Sequence, residues 1–206
     1  MMKDKLKFKK LLNEFRSLEA EFEYNSEVLR EANDVFECTY LKWCEDNGVN
    51  LDGLQKEKSK KVIIKQPTHI EQPEDHSRVE VKDKPKRHKD VFKSIAKKIH
   101  PDKVGEEDPR HEEFTSAFQR ATAAMNEGQW GELFDVIDRY EVEIPDYEEA
   151  NVSLEKDVGR MSEKLQKQKT TYAWHLQNCE GNPGCIDMVV SSFLKQVFEW
   201  DGSKNS

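Results

Sequence analysis

The chain has 206 residues, 35% apolar and 36% charged, so most of it must be solvated surface, and a thick multi-layer enzyme core is hard to build from it. No apolar run is long enough for a membrane span, and the opening Met1-Met2-Lys3-Asp4-Lys5 lacks the apolar stretch of a signal peptide, so the expectation is a soluble, cytoplasmic protein and not a large enzyme. The net charge of -8 is polarised: residues 84–103 carry a local +6 and residues 105–149 a local -11, which points to a directed contact by the basic stretch rather than general coating of nucleic acid.

The first region, residues 1–48, has neither Pro nor Gly before Gly48. Its Leu11, Phe15, Leu18, Phe22, Asn25, Leu29, Ala32, Phe36, Thr39 and Trp43 recur in alternating steps of four and three. That is the a/d seam of a coiled coil, and a helix with such a seam needs a partner helix. Asn47-Gly48 supplies the stop. Residues 49–85 lose the pattern and fill with Lys, Glu and Gln around Pro67, Pro73 and Pro85. We read them as a flexible charged linker, with Val62-Ile63-Ile64 as a small strand or docking patch.

Residues 86–145 are expected to form a compact helical domain. Phe92, Ile95, Ala96 and Ile99 fall on one helix face, and the helix must stop before Pro101. Asp108-Pro109 opens the next helix, with Glu112 and Glu113 well placed for its dipole and Phe114, Ala117, Phe118, Ala121, Ala124 and Met125 on its apolar side. A third helix, carrying Trp130, Leu133, Phe134, Ile137 and Tyr140, runs on to Pro145. Residues 146–206 resume the ladder with Leu154, Val158, Met161, Leu165, Gln168, Tyr172 and His175, then pass a Gly/Pro loop into an apolar capping helix bearing Val189, Phe193, Val197 and Trp200. The simplest all-α arrangement is a long antiparallel helical hairpin with the compact domain inserted between its two arms. A homodimer through the first seam is the other way to cover it.

The run from Arg87 to Lys103, ending Ile99-His100-Pro101-Asp102-Lys103, resembles helix II and the following loop of a J domain, the Hsp70-activating module of DnaJ-type (Hsp40) co-chaperones. Phe118-x-x-Ala121-x-x-Ala124-Met125 is similar to the family's helix III. The match covers about sixty residues. No helix I is found ahead of it, so the domain reads as a reduced variant, and the zinc repeats of full-length DnaJ are absent. The resemblance implies a DnaK-type Hsp70 as partner, stimulation of that partner's ATP hydrolysis, and no chemistry by the chain itself. It also implies that His100, Pro101 and Asp102 form the contact, with Lys86, Lys89, Lys93, Lys97 and Lys98 on the docking face.

The residues themselves allow the same role, because Lys86, Lys89, Lys93 and Lys97 fall within a sector of roughly 80° on the helix flank, where an acidic partner would relieve their mutual repulsion. Taken alone, such a stripe is also what a solvated helix face looks like. The client, delivered through the coiled-coil region, is not legible. A nucleic-acid-binding or purely structural coiled-coil adaptor is the alternative, disfavoured for nucleic acid by the acidity and the lack of interleaved aromatics. No cofactor or metal is expected. Cys179-x5-Cys185 is too wide for the usual ligand pair, no histidine has a ligand constellation, and Cys38, Cys44, Cys179 and Cys185 are expected to be packing thiols.

Overall fold

The structure, a computed structural model, describes residues 2–62, 86–103 and 107–202, with the side chains of 57–62 and 86–87 left aside. The described residues are helical and contain no strand: α1 (Met2–Asp46), α2 (Leu51–Val62), α3 (Lys86–Ile99), α4 (His111–Glu127), α5 (Trp130–Arg139), α6 (Tyr147–Lys169), α7 (Tyr172–Gln177) and α8 (Pro183–Phe198). They divide into two compact units. The first combines the chain up to Ala20 with the stretch ending at Glu163, and the second begins at Glu21 and resumes at Lys164. Helices α1 and α6 therefore each contribute to both.

The first unit is built on α3, α4 and α5. Its core holds Val91, Ile95 and Ile99 of α3, Ala121, Ala124 and Met125 of α4, and Leu133, Phe134, Val136 and Ile137 of α5. Phe8, Leu11, Leu12 and Phe15 at the start of α1 and Ala150 and Leu154 of α6 complete it. Phe8 meets Phe134 edge-on with ring centroids 5.4 Å apart. Gly131 lets Phe15 come close: a Cβ there would lie 2.5 Å from Cζ of that ring. Beneath this contact, the Gly131 N–H donates to Asp157 Oδ2 at 2.8 Å.

The turns of this unit follow local chemistry. Gly128 closes α4 with φ 71° and its N–H on the Ala124 carbonyl. Asp146 Oδ1 accepts from the N–H groups of Glu148 and Glu149 and so starts α6. Asp108 Oδ1 accepts from Arg110 N at 2.8 Å, so the expected cap forms a turn just ahead of α4 rather than capping its first residue.

The second unit has two clusters. Leu29, Ala32 and Phe36 pack with Ala173 and Leu176, and Cys44 packs with Val190, Leu194 and Trp200. The capping helix thus buries Val190 and Leu194, while Val189, Phe193 and Val197 are half-buried. Asn25 on the first ladder is buried, as is Gln168 on the second, whose Nε2 donates to Ser26 Oγ at 2.7 Å.

The third helix stops at Arg139 instead of running on to Pro145, and four further expectations change. The two ladders do meet, but α1 and α6 run parallel, not antiparallel. In the first unit Asn151 Nδ2 donates to the Asp4 carbonyl and Lys7 pairs with Glu155. In the second, Glu21 pairs with Lys169, and Leu29 and Ala32 share a cluster with Ala173 and Leu176. Numbers rise together along both helices. The cause lies in the first unit: its core is closed by the first turns of α1, so the chain leaves α5 beside the start of α1 and α6 sets off in the same direction.

Residues 51–62 form α2 rather than linker, because Asn50 Oδ1 accepts from Gly53 N at 2.9 Å and Leu51 and Leu54 pack against the cluster around Cys44. The remainder of the linker, with Ile63 and Ile64, lies outside the described residues. The second ladder breaks at Thr170-Thr171, where the Thr171 hydroxyl accepts from Trp174 N and starts α7, leaving His175 exposed. Cys179 and Cys185 are joined in a disulfide, not free thiols. Asn182 and Pro183 fold the turn between α7 and α8 back on itself and bring the two Cα atoms to 5.5 Å, inside the range a disulfide spans.

Candidate functional site

Helix α3 carries two different faces because its apolar residues repeat every three or four positions. His88, Val91, Ile95 and Ile99 are buried, and Phe92 stacks on Phe118 of α4 at 5.8 Å. The opposite flank exposes Lys89, Lys93 and Lys97. Lys93 is partly neutralised by Asp90 one turn earlier, at 3.0 Å. Among the described residues Lys89 and Lys97 have no ion-pair partner. The side chain of Lys86 lies outside the description. Lys98 belongs to neither face: its Nζ donates to the Glu141 carbonyl at 3.2 Å and ties α3 to the end of α5, where Glu141 adopts φ 49°.

Pro101 ends α3, as its ring must, and Pro101–Lys103 form one 3-10 turn. The turn is anchored at both ends. His100 N donates to the Ala96 carbonyl, and Lys103 N to the His100 carbonyl. Lys103 Nζ reaches back to the Lys97 carbonyl at 2.8 Å, covering an open carbonyl at the helix end.

The His100 ring lies edge-on against Phe118 at 4.7 Å, and its Nδ1 accepts from Asp102 N at 3.2 Å. Oδ2 of Asp102 lies 3.5 Å from the same Nδ1. Asp102 is the group left outside: its side chain is 87% exposed, against 37% for His100. The three residues therefore divide the work. His100 braces, Pro101 breaks the helix, and Asp102 projects.

Sequence reasoning placed the turn but missed what holds it. Phe118 is the platform under both Phe92 and His100, and its place on the apolar side of α4 was the available signal. A charged network on the other side of the unit had no signal in the pattern. Arg16 reaches Asp135 at 2.7 Å and Asp138 at 3.0 Å, and Arg120 reaches Asp135 at 2.8 Å and Glu132 at 2.6 Å. Burial lowers the affinity of both guanidinium groups for the proton, but the carboxylates beside them more than offset it and raise both. Burial, with Glu132 alongside, pushes the Glu19 carboxyl up to about 8.

His88 is walled in by Trp130 at 4.4 Å and Phe134 at 5.4 Å, and burial pulls its imidazole down to about 4. Its Nδ1 lies 3.8 Å from Glu149 and its Nε2 has no partner. Among the described residues no group of His, Cys, Asp or Glu is arranged to hold a metal ion, and no helix is long and apolar enough to cross a membrane. The turn presents an exposed carboxylate next to a cationic helix flank, which suits recognition by a partner carrying the opposite charges. No family model matches the chain, and no curated protein or solved structure matches it either.

Proposed function

We propose that the chain is a J-domain co-chaperone that binds a DnaK-type Hsp70 and stimulates its ATP hydrolysis, while the second unit selects the client. The observation that carries this reading is the turn at His100-Pro101-Asp102. It closes two helices packed through Phe92 and Phe118, its histidine points inward and its aspartate outward. A helix-terminating turn without a binding role needs no such brace.

In this reading the start of α1 takes the place of the family's missing first helix, since Phe8, Leu11, Leu12 and Phe15 pack into the core formed by α3, α4 and α5. Lys89, Lys93 and Lys97 steer the encounter, and Asp102 engages a basic group on the partner. The chain acts by binding one nucleotide state of the chaperone better than the other, which is the only way a ligand shifts such an equilibrium. A DnaK-type partner places the protein in the cytoplasm. The Cys179–Cys185 disulfide pulls against that placement, because thiols there are held reduced.

The test is binding to an Hsp70 held in its ATP or ADP state. Tighter binding to the ATP state is expected, with a paired Lys93→Glu and Lys97→Glu reversal weakening it by roughly tenfold or more and steepening no further with salt. Equal affinity for both states, or affinity untouched by the reversal, sinks the reading. Salt-sensitive binding to duplex DNA in place of Hsp70 would favour a nucleic-acid adaptor instead.

A further inference from the structure

The second unit has two surface depressions of about 510 and 410 Å³ that share Val35, Thr39 and Ile186 and so form one trough. One wall is α1 from Val28 to Asp46, ~27 Å at 1.5 Å per residue. The other is α7, the turn around Glu180 and Gly181, and the start of α8. The α1 wall has a regular pattern. Val28, Ala32, Val35, Thr39, Lys42 and Asp46 all line the trough and follow one another in steps of four, three, four, three and four. This heptad spacing shares Ala32 and Thr39 with the first ladder, Ala32 being packed in the cluster around Leu29, and turns Val28, Val35, Lys42 and Asp46 to the trough side, where Val35 is 60% exposed.

The rim is acidic. Glu31, Asp34, Asp46 and Glu180 line the trough and are exposed, against Lys42 as the lining cation. Among the described residues none of these four carboxylates has an ion-pair partner. A seam with coiled-coil spacing takes a helix, since knobs enter holes only from a helix of matching register. Unpaired carboxylates along its edges favour cations flanking that helix's apolar stripe.

We propose that this trough docks a cationic amphipathic helix of a partner protein, about five turns long, in coiled-coil register against α1. The proposal is independent of Hsp70 docking and is tested without any Hsp70 present. The probe is a fluorescent 18-residue peptide with leucines at a and d positions and lysines on the flanks, beside an isomer carrying Glu in place of Lys. Both are titrated with the full chain by anisotropy at physiological salt.

The cationic peptide should bind saturably and the acidic isomer at least ~10-fold more weakly. Val35→Lys and the pair Asp34→Lys, Glu180→Lys should each weaken the cationic peptide about tenfold. Melting should be unchanged, because these side chains are exposed. Glu143→Lys, exposed in the other unit, should bind as the parent does. The proposal is overturned if the cationic peptide does not saturate, or if Glu143→Lys weakens it as much as Val35→Lys does. It is overturned equally if the chain dimerises and Val35→Lys restores the monomer, since a second copy then fills the trough.

Discussion

Replacing Gly131 by alanine tests whether the start of α1 is part of the helical domain. A Cβ at this position would lie 2.5 Å from Cζ and 2.7 Å from Cδ2 of the Phe15 ring, whereas carbon atoms in contact sit ~3.5–4.0 Å apart. The ring must move by about an ångström, and it is 4% exposed among Leu12, Leu133 and Phe134, so it has nowhere free to go. Overpacking of this kind costs about 1–3 kcal/mol. Alanine recovers ~1 kcal/mol of helix propensity over glycine, so the net destabilisation should be up to about 2 kcal/mol. For a chain of this size that lowers Tm by up to roughly 8 °C, readable by circular dichroism at 222 nm.

Trimming the ring with Phe15→Leu should cancel the penalty, and the two changes should couple by ~0.5–3 kcal/mol in a double-mutant cycle. If Gly131→Ala alone raises Tm, the glycine has no side chain above it, and α1 does not close this core.

Stability should also depend on pH with a sign set by two groups. The folded Glu19 carboxyl titrates near 8 instead of its ordinary 4.5, so the stability it contributes is complete below ~4.5 and is lost as pH rises through 8. His88 is depressed to about 4 from 6.5, so its contribution is present above 6.5 and is lost as pH falls toward 4. Between pH 6.5 and 8.5, of these two groups, Glu19 is the one that titrates: Tm should fall more steeply across that window in the parent than in Glu19→Gln, and an equal fall in both contradicts the assignment. The parallel ladders predict zero-length carbodiimide crosslinks between Lys7 and Glu155 and between Lys169 and Glu21, formed within one chain when isotopically mixed protein is used; an antiparallel pair would give neither. Alkylation without reductant should label Cys38 in the folded protein and Cys44 only on unfolding, while Cys179 and Cys185 stay blocked until reduced; four labelled thiols without reductant would refute the pairing.

Periodicity carried the helices well because burial follows it. Leu11, Phe15, Asn25, Leu29, Ala32 and Phe36 of the first ladder are all buried. Periodicity says nothing about direction, and so the antiparallel reading failed. What sets the direction is a set of tertiary contacts by Phe8 and Phe15 with residues more than a hundred positions away. The second ladder's continuation through Tyr172 and His175 was equally misleading. A threonine hydroxyl at 171 supplies a local alternative to the helix and ends it.

Composition also hid α2, where two leucines among the six positions whose side chains are described suffice to dock it. At the candidate site the exposed lysines and the proline stop were legible from residue type alone. The brace was not. That His100 turns inward and Asp102 outward depends on Phe118, eighteen residues on, and on a bond from Asp102 N that only coordinates reveal. Lys98, which only the family resemblance added to the docking face, lies one residue past Lys97 and donates to the Glu141 carbonyl.

The central claim is that this braced turn is what a nucleotide-driven chaperone recognises. Its most direct test is single-turnover ATP hydrolysis by a DnaK-type Hsp70, alone, with the parent chain, and with His100→Gln shown by its melting curve to be folded. The parent should accelerate hydrolysis and the variant should leave it near the rate of Hsp70 alone. No acceleration by the parent, or equal acceleration by the variant, contradicts the claim.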